Sequence, residues 1–280
     1  MVQPPPVELV IRRDDEPCLY EIRECVDAGY MGAFARLAIK KGSIVLCERP
    51  LLTLDAPLQS YLFQRIQSGG SSGPTPIQGD SDEDEEEPTT LEQFLDQNIT
   101  RQLKLKHVQH QQQFWDLANT RPELPKAYGI FATNAVSTVD ETGGMFLTLS
   151  RFNSGCRPCL SRPQYDPKTK TFTLTAVRDV HQGEELTWPY LGIPFEFDSV
   201  QHRRQELLQC FHFNCLCSAC QQWLTNPDKL KESNQRLLRL RRLKQQGLNA
   251  KWTVEEMIKL CHEEQLWEMK DTLQQQLETL

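Results

Sequence analysis

A chain of 280 residues, 39% hydrophobic and 8% aromatic, suffices for one large domain or for a domain with an appendage. No apolar run approaches the roughly 20 residues of a membrane helix, so a protein that stays out of the membrane is expected. The net charge of −7 is concentrated: the run Asp80 to Glu87 carries seven carboxylates, and outside it 31 acidic residues face 31 basic ones. That near-neutral remainder lacks the basic surface nucleic-acid binding needs, and no direct nucleic-acid partner is expected.

Residues 1–16 read as a loose lead-in. Met1 to Pro6 has neither the basic start nor the apolar stretch of a signal peptide. This predicts an intracellular location, nucleus or cytoplasm or both, where reducing conditions favour clustered cysteines as metal ligands over disulfides. Leu19 to Cys25 is a short strand. Ala28 to Ala35 follows, with Gly29 and Gly32 flanking a turn; Gly32 has no Cβ and admits a close approach of backbone or ligand. Lys40 to Ser43 turns the chain into a buried strand, Ile44 to Cys47. Residues 68–90 join a Gly/Ser-rich stretch to the acidic run and read as a disordered, solvated spacer.

From Leu91 to Asn119 the pattern is helical: Leu91, Phe94, Leu95, Ile99 and Leu103 follow a 3.6-residue stripe, ended by Pro122 and Pro125. Ala127 to Val136 is mixed, Gly143-Gly144 a turn, and Met145 to Leu149 a strand. Thr171 to Val177 alternates, with Phe172, Leu174 and Ala176 on one face, as a half-buried strand does. His181 to Glu184 is a turn and Leu186 to Leu191 a short strand. Asp228 opens a helix that ends before Gly247. Arg239, Arg241, Arg242 and Lys244 are interleaved there with leucines, which fits a helix packed by its leucines with its charges in water. Thr253 and Glu256 have the spacing of a capping box for the next helix, which carries Val254, Ile258 and Cys261 on one face.

The densest chemical signal is Cys215, Cys217 and Cys220, a C-x-C-x-x-C that brings three thiolates within six residues. A tetrahedral zinc site needs four such ligands. Cys156, in the tight stretch Arg151 to Leu160, is the preferred fourth, with Cys159 and Cys210 as rivals. Ten cysteines can also serve as small apolar core residues, but a triplet this tight is hard to explain that way.

Four segments, in order, carry a resemblance. They are Gly29 to Ala35 with Ile39 to Gly42; Asn153-Ser154-Gly155-Cys156-Arg157-Pro158-Cys159; Arg178 to Val180 with Gly183-Glu184-Glu185-Leu186-Thr187-Trp188-Pro189-Tyr190; and Phe211 to Cys220. The second resembles the N-H-S-C-x-P-N motif of SET-domain proteins, the third their G-E-E-[LI]-T-x-x-Y, and the fourth their cysteine-rich post-SET segment. The likeness spans about residues 20 to 220 and is nearest to the SMYD-like and fungal SET type. The MYND zinc finger that interrupts SMYD relatives is absent, since its place holds no cysteine.

The resemblance implies a mainly β fold with helical additions: a SET-domain β-clip of short strands, a helical insertion, a post-SET segment and C-terminal helices. The expected division is a lead-in at 1–16, the first part of the SET domain at 17–67, the acidic linker at 68–90, the helical insertion at 91–126, the second part of the SET domain at 127–200, the post-SET zinc segment at 201–224 and helices at 225–280.

The family implies an S-adenosyl-L-methionine-dependent protein-lysine N-methyltransferase, acting on a protein or peptide lysine, with structural zinc and a monomeric chain. Carried over position by position, Met31, Gly32, Ala33, Asn153, Ser154 and Phe213 bind the donor with Tyr190, which is also the catalytic tyrosine; Cys156, Cys215, Cys217 and Cys220 hold zinc. The chain departs from the motif at Ser154 for histidine, Gly155 for serine and Cys159 for the last asparagine. Tyr30 stands where the first of two glycines is usual and would crowd the donor pocket. Cys159 cannot make an asparagine's hydrogen bonds, which leaves neighbouring groups unpartnered at about 1–3 kcal/mol if buried. The alternative is a catalytically inactive SET-domain scaffold that binds partner proteins.

Overall fold

The computed structural model of the chain describes residues 7–12, 17–25, 30–53, 90–137 and 143–280. The turn expected around Ala28 and Gly29 lies outside them, as does the acidic spacer up to its last residue, Thr90. The described residues divide into two units, one from within 1–12, 47–150 and 165–172, the other from within 13–46, 151–164 and 173–280. Among the described residues no helix is long and apolar enough to cross a membrane.

In the first unit the apolar stripe becomes α1, Leu91–Lys104. Thr90 caps it in a reciprocal box with Gln93. Phe94, Leu95, Ile99 and Leu103 are its buried face, each side chain worth roughly 1.5–3 kcal/mol of transfer from water. The pattern expected to run on to Asn119 breaks at Leu105 and resumes as α2, Val108–Trp115, which buries Phe114. The segment read as mixed is α3, Lys126–Asn134. Ile99, Leu103, Phe114, Ile130, Met145 and Leu147 share one core. Strands β4 (Leu52–Thr53), β5 (Val136–Ser137) and β6 (Gly143–Met145) pair in the order β4-β6-β5. The strand expected at Met145 to Leu149 is therefore displaced toward the N-terminus, and Leu149–Arg151 is a 3₁₀ turn. Val10 of the lead-in bridges Glu48.

In the second unit β1 (Tyr20–Cys25) and β2 (Tyr30–Ala35) form an antiparallel pair in which Arg23 faces Gly32. Strands β3 (Ile44–Glu48), β7 (Gln164–Asp166) and β8 (Thr171–Thr175) make a sheet in the order β3-β8-β7, of which residues 44–46, 164 and 173–175 belong to this unit. The turn before β3 places Gly42 at φ 85°, where residues with a Cβ are strained. The expected strand Leu186 to Leu191 is an extended segment held by single bridges at Glu185 and Trp188.

The C-terminal part is helical: α4 (Val200–Phe211), α5 (Ser218–Thr225), α6 (Pro227–Gln246), α7 (Lys251–Glu263) and α8 (Trp267–Leu277). Leu237, Leu240 and Leu243 of α6 pack with Val254, Met257 and Cys261 of α7, while Arg239 pairs with Glu256 at 2.7 Å. Thr253 is no cap: α7 begins at Lys251 and Thr253 is buried in its first turn.

Helices take 45% of the described residues and strands 17%, which overturns the mainly β expectation. Short strands surround the site, but α4, which no sequence signal had marked, adds to the expected helices and shifts the balance.

Candidate functional site

The segment from Glu184 to Tyr190 is gripped from two sides. On one side it pairs with β2: Leu186 N donates to Ala33 O at 2.7 Å and Ala35 N to Glu184 O at 2.8 Å. On the other it meets the stretch after Phe152: Trp188 N donates to Asn153 O, Gly155 N to Trp188 O and Leu160 N to Thr187 O. This threading brings residues more than 120 positions apart together. The Asn153 amide donates to Met31 O at 3.1 Å and to the Glu185 carboxylate at 2.8 Å. A Cβ on Gly32 would lie 2.9 Å from that amide nitrogen and 3.0 Å from the carboxylate, so glycine allows the two side chains to close onto the backbone. Ala33 is fully buried and Met31 is exposed beside it.

Tyr190 donates its hydroxyl to Phe152 O at 2.9 Å. Its ring packs against Trp188, Phe211 and Phe213, at centroid distances of 4.7, 5.3 and 6.2 Å. Burial, and then the charge of Glu185, hold the phenol well above its ordinary pKa, so it stays protonated. The same two causes, in the same order, raise Tyr30, which is 38% exposed at the start of β2. Ser154 bridges Trp188, and its hydroxyl lies 3.5 Å from Tyr190 N.

The ligand atoms of Cys156, Cys215, Cys217 and Cys220 lie within 4.8 Å of one another. Cys156 is 3.8 Å from Cys215 and 3.4 Å from Cys220. Four thiolates about 2.3 Å from a tetrahedral zinc sit about 3.8 Å apart, so the donor set and its spacing fit the metal. The Cys215 thiol draws Cys156 down to about 7, toward the thiolate that a metal takes. The rivals Cys159 and Cys210 are not in the group.

The substituted motif positions have partners of their own. Cys159 is buried; its sulfur accepts from Thr187 N at 3.4 Å and donates to Glu185 O at 3.6 Å. The Cys159 sulfur thus has backbone partners on the threaded segment. A Cβ on Gly155 would fall 2.4 Å from the Thr187 hydroxyl, so the serine of the motif has no room here.

Residues 30–191, more than half of the chain, match the SET domain. The chain belongs to the SET-domain family.

Among its relatives, the histone-lysine N-methyltransferase set5 of Schizosaccharomyces pombe is 37% identical over 124 residues, covering 44% of this chain and 37% of that protein. The histone-lysine N-methyltransferase SMYD3 of Homo sapiens is 29% identical over 157 residues, 50% of this chain and 34% of that one. The chain therefore spans little more than a third of the curated relatives it matches. The crystal structure of the SET domain of LSMT bound to lysine and AdoHcy aligns at a TM-score of 0.39 with 13% identity, over 74% of this chain and 54% of that one.

Within this SET domain, Glu185, the Phe152 carbonyl and Phe211 were absent from the sequence-derived site. Glu185 stood in the quoted G-E-E motif and could have been found there. A backbone carbonyl leaves no trace in a sequence.

Proposed function

We propose that this SET-domain protein transfers a methyl group from S-adenosylmethionine to a protein lysine. The observation that carries the reading is the neutral Tyr190 phenol on the Phe152 carbonyl, next in the chain to an Asn153 amide that reaches the backbone of Met31. Met31, Gly32 and Ala33 would hold the donor's amino-acid part through backbone, with Asn153 and Ser154 opposite and Phe213 against its adenine. Bound there, the donor supplies an electrophilic methyl on a sulfonium. Tyr190 O and Phe152 O are electronegative atoms that can align that methyl without attacking it. The lysine amine must arrive neutral, its lone pair forming the new C–N bond while the sulfur keeps the pair from the broken C–S bond; exclusion of water by the ring cluster around Tyr190 favours this. Cys156, Cys215, Cys217 and Cys220 would hold a structural zinc with no open position, fastening the segment that carries Phe213.

Both named relatives are histone-lysine methyltransferases, so histones are the first substrates to try, which is consistent with an intracellular, nuclear or cytoplasmic setting. Calorimetry with S-adenosylmethionine, followed by mass spectrometry of histones incubated with both, tests the reading. Saturable donor binding and a mass gain of one or more methyl groups are expected. No binding at millimolar donor would sink it and favour a scaffold, in keeping with the substitutions at Ser154, Gly155 and Cys159.

A further inference from the structure

A cavity of about 50 Å³, partly open to solvent, lies against Cys156 of the cysteine group. Its charged lining is Arg157, Arg162, Arg203, Glu196 and Glu268, three guanidiniums against two carboxylates. Apolar walls come from Leu160, Val177, Leu207 and Leu266, and Ser154, Cys156 and Tyr190 of the site described above line its other side.

Six buried polar atoms on the lining residues have no hydrogen-bond partner: Arg157 Nε, Arg162 Nε, Arg203 Nε and Nη2, Trp267 Nε1 and Glu196 Oε2. Five of these six are donors, so the cleft is short of acceptors.

Arg203 is the sharpest case. It is 3% exposed, and its Nη1 donates to Asp198 O. Nearby carboxylates are engaged elsewhere: Asp198 by His202 and Arg241, Glu264 by Arg157, Ser233 and Arg236. Among the described residues no carboxylate pairs with Arg203. Arg157 and Arg203 also lie over the same Trp223 ring, 5.0 and 5.5 Å from its centroid.

Water could satisfy the free N–H groups but would leave Arg203 without a carboxylate partner. Nε and Nη2 share one edge of the guanidinium, the pair of parallel donors that grips both oxygens of a carboxylate. A phosphate dianion offers nothing to the leucine and valine walls. We propose that this cleft binds a short aliphatic carboxylate, held side-on by Arg203 with its hydrocarbon body against Leu160, Val177 and Leu207.

The test uses the full chain in chloride buffer at constant ionic strength, with butyrate, acetate and inorganic phosphate as probes, read by thermal melting and calorimetry. Butyrate is expected to raise Tm in a dose-dependent way and to bind on the order of tenfold more tightly than acetate, from two more buried methylenes. Phosphate and chloride are expected to do neither. Arg203→Met should weaken butyrate at least tenfold, and Trp267→Phe, which keeps the ring and removes one donor, should weaken it severalfold. Equal shifts with chloride, or butyrate binding that survives either substitution, would overturn the proposal. No donor or methylation enters these readouts, so their failure leaves the methyltransferase reading untouched.

Discussion

Tyr190 shows how one side chain gains a chemical character from its surroundings. Its phenol is buried, faces a carbonyl and feels the charge of Glu185, all of which keep the proton on. Tyr190→Phe removes only the oxygen. We expect it to lower kcat roughly tenfold to a hundredfold, the equivalent of about 1.5–3 kcal/mol of aligned polar contact, with circular dichroism unchanged. Unaltered turnover would remove Tyr190 from the mechanism.

Glu48 is a second buried group with a measurable consequence. Burial raises its carboxyl from 4.5 to about 7, against the opposing hydrogen bonds from Thr148 N and Leu149 N. A carboxyl raised in the folded state gives its stability below the unfolded value and loses it as pH climbs through the folded one. Stability should thus fall between pH 4.5 and pH 7, by up to about 1.4 kcal/mol per pH unit from this group. Urea denaturation across that range should show the slope in the native chain and a flatter one in Glu48→Gln.

At the level of elements, the substituted motif is a matched set. Gly155 is small because the Thr187 side chain, on the threaded segment, occupies the space a Cβ would need. Gly155→Ser should cost about 1–3 kcal/mol by overpacking, and adding Thr187→Ala should recover part of it. A double-mutant cycle by urea denaturation with no coupling would refute the match.

The C-terminal helices are joined to this segment by a buried ion pair. Glu264 is wholly buried and accepts from Arg157 at 3.0 Å, Ser233 at 2.8 Å and Arg236 at 2.7 Å. Glu264→Ala leaves Arg157 buried without its carboxylate, at an expected loss of about 3–5 kcal/mol by the same assay.

For the whole molecule, the cysteine group closes a loop of 59 residues between Cys156 and Cys215. Metal analysis of the purified chain should find one zinc, and Cys217→Ser should lose it and lower Tm. A native chain without zinc would end the metal assignment.

The cysteine triplet, the G-E-E segment and the leucine stripe of α6 could be read directly, because each depends on spacing along a single stretch of chain. The sequence preferred Cys156 to Cys159 as the fourth cysteine, but that Cys159 is held apart by Thr187 and Glu185 is visible only in the tertiary structure. The break between α1 and α2 and the helical nature of residues 126–134 also escaped the pattern, because packing around Phe114 and Ile130 overrides weak local preference. Local order thus came from periodicity, whereas the pocket and the arginine-lined cleft arose where chain segments far apart in number met. Contacts of that kind depend on three-dimensional closure, and closure leaves no mark on the spacing of neighbours.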